Sequence, residues 1–353
     1  MGAVLLTGAT GFVGREILSR FLERNDRHVF ALVRAENDAE AAGRLPAHER
    51  LSAVAGDIER EDLGLAGGSS ERLRQKVTTV LHCAASVSFD MPLEESRRVN
   101  VEGTRRMLDF ARSCPRLERF SYVSTAYVAG EPGGLFREDE LAVGQSFRNP
   151  YERSKFEAEL AVRSEGADLP LQILRPSIVV GDSRTGWTSS FNVLYPPLRA
   201  FARGAIPALP ARRQSPVDVV PVDYVADSVD ELARGGPDGT FHLVAGRNAT
   251  TVGRLIELAS HRFGKPAPPV FPPPLYRRIV HPLLRRRRGD ALRRMEVYFP
   301  YFSMRVRFAA RRHPPAPPVE GYFDRLLDFA ERARWGRRSV ERPPTAGVVP
   351  LSA

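Results

Sequence analysis

The chain has 353 residues, 42% of them hydrophobic, and a formal net charge of +10 at pH 7. That is enough for one large α/β fold with an extension or for two modest domains, and no stretch approaches the roughly 20 apolar residues of a membrane-spanning helix. Cys83 and Cys114 have no ligand spacing, so neither a disulfide framework nor a metal site is expected.

The charge is uneven. From Val270 onward there are 18 Arg, no Lys and 7 acidic residues, which leaves the remainder near neutrality. Lysine occurs only at 76, 155 and 265, so the Arg bias is global and Arg counts alone carry little functional weight. An apolar strand starts almost at Met1, no leader precedes it, and cytoplasmic residence is the expectation.

In chain order, Val4 to Leu6 reads as a strand and Phe12 to Glu23 as a helix. Strands follow at His28 to Val33, Leu51 to Ala55 and Val77 to Cys83, then a helix at Glu94 to Ser113. A strand at Arg119 to Ser124, a helix at Pro150 to Ser164 and a strand at Leu171 to Leu174 complete the regular part. Strand and helix in turn imply parallel βαβ units in a doubly wound α/β sheet. After Pro176 the pattern loosens. Ser190 to Arg203 reads as a helix interrupted by Pro196 and Pro197, followed by a strand at Val217 to Val220 and a helix at Val222 to Arg234. A strand at Thr240 to Val244 and a helix at Val252 to Phe263 come next, and these pieces suggest a smaller C-terminal substrate-binding lobe interleaved with the sheet from about residue 177. The proline run from Pro266 to Pro274 reads as a linker or rigid spacer. The basic and aromatic extension beyond it ends in an amphipathic helix near Tyr322 to Trp335. The expected divisions are 1–265, 266–338 and a disordered tail, 339–353.

Thr7-Gly8-Ala9-Thr10-Gly11-Phe12-Val13-Gly14 lies between the first strand and the first helix. In that context Gly8 makes the tight turn, Gly11 admits a pyrophosphate and Gly14 lets helix and strand pack closely, as in a Rossmann-type dinucleotide site. The second strand ends in Arg34 rather than in the acidic residue that would bind an NAD ribose. Arg34, helped by Arg44, could instead pair with a 2′-phosphate, so NADP(H) is expected and NAD(H) ranks second. Asp57 and Ile58, after the third strand, are placed to meet the adenine, with a plain turn as the alternative for Asp57.

Tyr151 and Lys155 are four apart on one helix, and no other of the nine tyrosines has a Lys at that spacing. An ammonium there would lower the pKa of the phenol and reach the ribose hydroxyls. Ser124 and Thr125 end the fifth strand, where a hydroxyl can bind a substrate carbonyl and, with Tyr151, hold the oxyanion formed on hydride arrival. These residues do not decide between the two hydroxyls.

Gly8 to Gly14, Asp57-Ile58, Ala84-Ala85, Asn100, Ser124-Thr125, Tyr151-x-x-x-Lys155 and Arg175-Pro176-Ser177 together resemble an extended short-chain dehydrogenase/reductase over residues 1–265. Leu32 to Ala35, Tyr122 to Val128 and, most specifically, Arg175 to Trp187 resemble its thioester-reductase and fatty acyl-CoA reductase (male-sterility) branch. The resemblance implies a catalytic set of Thr125, Tyr151 and Lys155, with Ser124 as second choice. It also implies that Ala84, Ala85, Asn100, Pro176, Ser177 and Ile178 lie along the cofactor. The activity it implies is NADPH-dependent reduction of a CoA- or carrier-bound acyl thioester to aldehyde or alcohol. The rivals are an extended reductase, dehydrogenase or epimerase acting on a ketone, sterol or nucleotide sugar, and a non-catalytic NADP-binding protein. The basic C-terminal part is a candidate contact for an acyl carrier protein or a membrane surface, and no nucleic-acid module is present.

Overall fold

A computed structural model describes residues 2–131, 133–284 and 296–342. The central strands are β1 (Ala3–Thr7), β2 (Val29–Val33), β3 (Leu51–Ala55), β4 (Val77–His82) and β5 (Arg119–Val123). A short β6 (Gly134–Phe136) lies apart, β7 (Leu171–Pro176) returns to the sheet, and four short strands follow: β8 (Ile178–Val180), β9 (Leu209–Pro210), β10 (Pro216–Val217) and β11 (Val219–Pro221). The sheet closes with β12 (Gly239–Leu243), in the order β12-β7-β5-β4-β1-β2-β3, with every neighbouring pair parallel. Strand order reverses at β1, which lies between β2 and β4, and a dinucleotide binds at such a switch point at the carboxyl ends of the strands.

Alternation along the strands sorts the two faces. Val4 and Leu6 join Ile17 and Phe21 of α1 (Phe12–Arg24) and Val225 and Val229 from the helix Val222–Gly235. Leu5 faces the other way, with Met107 and Leu108 of the helix Gly103–Arg112 and Ala158 and Val162 of the helix Pro150–Glu165. Both faces are therefore dry, as a parallel sheet requires.

The helix expected at Glu94 to Ser113 is a composite. Leu93–Arg97 and Gly103–Arg112 are joined by a π turn over Arg98–Glu102, where the Gly103 N–H bonds the Arg98 carbonyl. Pro196 and Pro197 do not interrupt a helix. They sit in the first turn of Tyr195–Ala202, where their missing N–H groups are not needed.

The lobe gathers distant segments. Tyr127, Tyr195, Phe201, Tyr301, Phe308 and Phe323 share one core. The proline run is not a free spacer, because β13 (Thr250–Thr251) is followed by β14 (Val270–Phe271), which pairs with β9. Farther on, β15 (Val306–Phe308) pairs with β6. The extension is thus built into the lobe. The basic run around Arg285 to Arg288 and most of the expected tail, 343–353, lie outside the described residues. The tail's first residues are not loose, because Arg342 makes a buried 2.8 Å ion pair with Glu16 of α1.

Candidate active site

The glycine turn fits a dinucleotide. Gly8 has φ +77° and a Cβ there would lie 2.8 Å from the Ala84 backbone nitrogen, so only glycine is accommodated without strain. A Cβ on Gly14 would collide with the Gly8 carbonyl, whereas at Gly11 the nearest atom is 3.3 Å away. Gly11 is exposed and begins α1 without a side-chain cap, which leaves the helix amides facing outward for phosphate. Thr10, Phe12 and Val13 surround this turn, and all three are half-buried.

Several residues expected along the cofactor use their side chains to hold the loops around the glycine turn. The Thr7 hydroxyl is 2.8 Å from His82 Nδ1 and accepts from the Cys83 and Ala84 N–H groups. It therefore fixes the loop carrying Ala84 and Ala85. Asn100, projecting from the π turn, accepts from the Ser86 N–H at 2.8 Å and donates to the Ser86 carbonyl and to Ser154 Oγ. Ser177 donates to Asp218 at 2.5 Å, while Pro176 and Ile178 bracket it in buried positions. Burial raises the Asp218 carboxyl above the usual range, opposed by Ser177 and by the Ala245 and Gly246 N–H groups. Asp57 accepts from the Glu59 N–H and closes a turn, and Ile58 is buried against Gly103.

Arg34 stands exposed at the end of β2, 3.6 Å from Glu59. Arg44 donates to the Arg34 carbonyl at 2.6 Å, so the two cations are neighbours. Glu59 also binds Arg98 at 2.7 Å.

The structure separates the two hydroxyls after β5. Ser124 donates to Glu159 at 2.7 Å, inside a buried network in which Arg175 meets the same carboxylate at 2.6 Å. Burial works to raise the Glu159 carboxyl, but Arg175, Arg163 and the Ser124 hydroxyl together outweigh it and hold the group below its ordinary value. Arg175 also donates to the carbonyls of Arg137 and Glu140, tying β7, the helix Pro150–Glu165 and the 137–140 loop together. Ser124 is therefore a structural group. Thr125 has its hydroxyl 3.3 Å from the Pro176 carbonyl and accepts from the Tyr127 N–H at 3.2 Å, and it stands near enough to the Tyr151 phenol to oppose the upward shift of its pKa.

Lys155 is buried. Its Nζ donates to the Val123 carbonyl at 2.9 Å and lies 4.2 Å from the centre of the Tyr122 ring. Burial pushes its pKa down to about 8. Tyr151 is pushed up to about 12 by burial, and the group that opposes this is Thr125 rather than Lys155. The expected lowering of the phenol by the ammonium is thus not what this arrangement delivers. Tyr151 rests as a protonated donor.

Sequence reasoning missed the aromatic bridge that leads away from Tyr151. Phe89 lies 5.8 Å from the Tyr151 ring and 5.6 Å from Tyr301, ring centre to ring centre. The Tyr301 hydroxyl donates to Glu152 and accepts from Asn149, both at 2.8 Å. Tyr301 then borders an apolar cavity of about 80 Å³, whose other walls include Ile178, Leu198, Phe201 and Ile256. Apart from the Tyr301 phenol, every lining side chain is apolar. Tyr301 belongs to the aromatic stretch of the C-terminal extension, which the sequence does single out as a candidate cover for an acyl chain, whereas no sequence signal points to Phe89. Glu159 had one, since it continues the inward stripe four residues after Lys155.

The model of the male sterility protein family, an NAD-binding domain, matches residues 6–229. The carboxylic acid reductase of Mycobacterium marinum is 31% identical over 285 residues, covering 68% of this chain and 24% of that protein. Fatty acyl-CoA reductase 2 of Homo sapiens is 26% identical, covering 64% of this chain and 53% of that protein. The chain thus spans between a quarter and about half of these relatives. Among solved structures, the terminal R domain from the myxalamid PKS-NRPS pathway superposes with a TM-score of 0.79 at 25% identity, covering 95% of this chain and 92% of that one. With the glycine turn at the switch point and a family match over most of the chain, kinship is settled: the chain belongs to the male sterility protein family.

Proposed function

We propose that the protein is an NADPH-dependent reductase that converts an acyl thioester, presented on coenzyme A or on a carrier protein, to an aldehyde or alcohol. The observation that carries this reading is the junction at Tyr151: a protonated phenol beside Thr125, followed by an aromatic bridge, Phe89 to Tyr301, whose far end lines an apolar cavity. A sugar substrate would find almost no hydrogen-bonding partner on those walls, whereas an acyl chain needs none. The relatives named for carboxylic acid and fatty acyl-CoA reduction support the same class.

The dinucleotide, held at Gly8 to Gly14, supplies a hydride when bound. Thr125 and Tyr151 receive the carbonyl oxygen, and Tyr151 gives it a proton as the carbon takes the hydride. The C–S bond then breaks, releasing thiol and aldehyde. A second hydride and proton make the alcohol. Lys155, anchored on the Val123 carbonyl, would offer its positive charge to the ribose of the bound cofactor. Arg34 and Arg44 favour NADPH over NADH by pairing with the 2′-phosphate in place of Glu59.

The test is NADPH oxidation with product analysis on acyl-CoA thioesters, free aldehydes and ketones. Thiol release matching NADPH consumption is expected. Turnover on ketones alone, with no reaction on any thioester, would replace this reading by that of a carbonyl reductase.

A further inference from the structure

The lobe and the dinucleotide half meet at a place the catalytic reading does not use. After the last helix, Phe323–Arg332, three consecutive residues adopt left-handed backbone: Arg334 (φ 49°), Trp335 (φ 58°) and Gly336 (φ 83°). Left-handed backbone at a bulky residue such as Trp335 is uncommon and persists only where the surroundings hold it. Here it reverses the chain. A Cβ on Gly336 would lie 2.8 Å from the Phe191 ring, so the reversal is pressed against the lobe. Residues 336–342 then run back to the start of α1.

They arrive next to the glycine turn. Val340 packs in one apolar cluster with Phe12, the first residue of α1, and with Trp187. The Phe12 and Trp187 rings are 6.1 Å apart. Arg342 lies over Trp187 at 5.8 Å, bonds Glu16 at 2.8 Å and reaches Ser19 at 3.4 Å. Both partners of the Arg342–Glu16 pair are buried, so the strap is locked onto α1 within two turns of its N-terminus. Between strap and helix lies a chamber of about 260 Å³ with Arg15, Trp187, Arg338 and Arg342 on its walls. Glu341 is the one acidic group lining it. Arg15 and Arg338 have no ion-pair partner among the described residues. A chamber of this charge, reaching α1 at Arg15, one turn after the glycine turn, is suited to an anion.

We propose that this strap is the outer wall of the cofactor's pyrophosphate site, with Arg15 and Arg338 facing the phosphates and Arg342 as the latch that holds the wall on α1. The inference rests on the dinucleotide reading above. It assigns part of the cofactor's retention to the C-terminal strap, outside the Rossmann core.

The test measures dissociation constants and release rates of NADPH and of ADP-ribose, which carries the pyrophosphate without the nicotinamide, on the full chain. Arg338→Ala is the main variant, because this exposed side chain anchors nothing and its loss leaves the fold intact. Arg342→Ala tests the latch, with Arg342→Lys as the conservative comparison. Arg116→Ala, before β5 at the opposite end of the sheet, is the control. Each alanine variant in the strap is expected to weaken both ligands about tenfold through faster release, with the loss shrinking at high salt and the control unchanged. Release rates within twofold of wild type in Arg338→Ala and Arg342→Ala would overturn the proposal, as would a loss confined to NADPH and absent for ADP-ribose. A wild-type chain that binds neither dinucleotide would sink the cofactor reading and this proposal with it. Wild-type binding with unaffected variants would sink this proposal alone.

Discussion

In the sheet half, packing follows a local rule. Val4 and Leu6 go to one face and Leu5 to the other, and helices cover both faces. In the lobe no such rule operates. Tyr127, Tyr195, Tyr301 and Phe323 meet from four separate segments, joined by two-stranded pairs such as β15 on β6 and by buried polar bonds such as Tyr301 to Glu152. The first half is organised by periodicity and can be built strand by strand. The second depends on contacts such as Tyr301 to Glu152, 149 positions apart, whose loop closure costs more entropy. The proposed catalytic groups sit at the seam: Thr125 and Lys155 come from the sheet half, and the bridge from Tyr151 to the cavity crosses into the lobe.

That contrast can be broken at the seam first. Tyr151→Phe removes the proton donor and leaves the ring against Phe89, so turnover should fall about 10⁴-fold while dinucleotide affinity is kept. Steady-state kinetics beside a fluorescence titration would check both, and a variant that keeps wild-type turnover would remove Tyr151 from the mechanism. Next comes the joint that binds the two halves. Arg175→Met strands the buried Glu159 carboxylate and should cost about 3–5 kcal/mol in denaturant unfolding. A loss under 1 kcal/mol would mean that the seam is held elsewhere.

Gly8→Ala strikes the sheet half alone. The positive φ and the contact with the Ala84 nitrogen predict about 2 kcal/mol of destabilisation together with weaker dinucleotide binding. Tyr301→Phe strikes the lobe alone. It deletes a hydroxyl shared by Asn149 and Glu152 and should cost about 1 kcal/mol without touching dinucleotide affinity. The two variants together would show whether the halves unfold as one unit, by whether the transitions seen by fluorescence and circular dichroism coincide. The smallest effect is expected from pH. Burial lowers Lys155 to about 8, so its ammonium is present below that pH and lost as pH rises through it, and the rate should decline above about pH 8. A flat profile from pH 7 to pH 10 would remove the charge on Lys155 from the mechanism.

What could be read from the sequence follows the same division. Strands β1 to β5, the glycine turn and the Tyr151–Lys155 spacing are local patterns, and each was legible as such. Thr125 and Ser124 could not be separated locally, because the deciding partner, Glu159, is 35 residues from Ser124. Asp218 interrupts an apolar strand and could have been noticed there, but its bond to Ser177 is a tertiary fact. The Pro266 to Pro274 run looked like a spacer because proline cannot extend a sheet interior. As the short edge pair of β14 with β9 it does not have to.

The π turn at Arg98–Glu102 carries a further consequence. It holds one more residue per turn than an α-helix, and Asn100 meets both Ser86 and Ser154 in that register. Substitution at its exposed positions is mild, but deleting a single residue would restore regular α-helix and rotate everything upstream by about 100°. Asn100 would then leave Ser86, and the loop beside Gly8 would lose its anchor. This stretch should therefore tolerate changes of residue and resist changes of length, which makes chain length here a sharper marker of an intact site than residue identity.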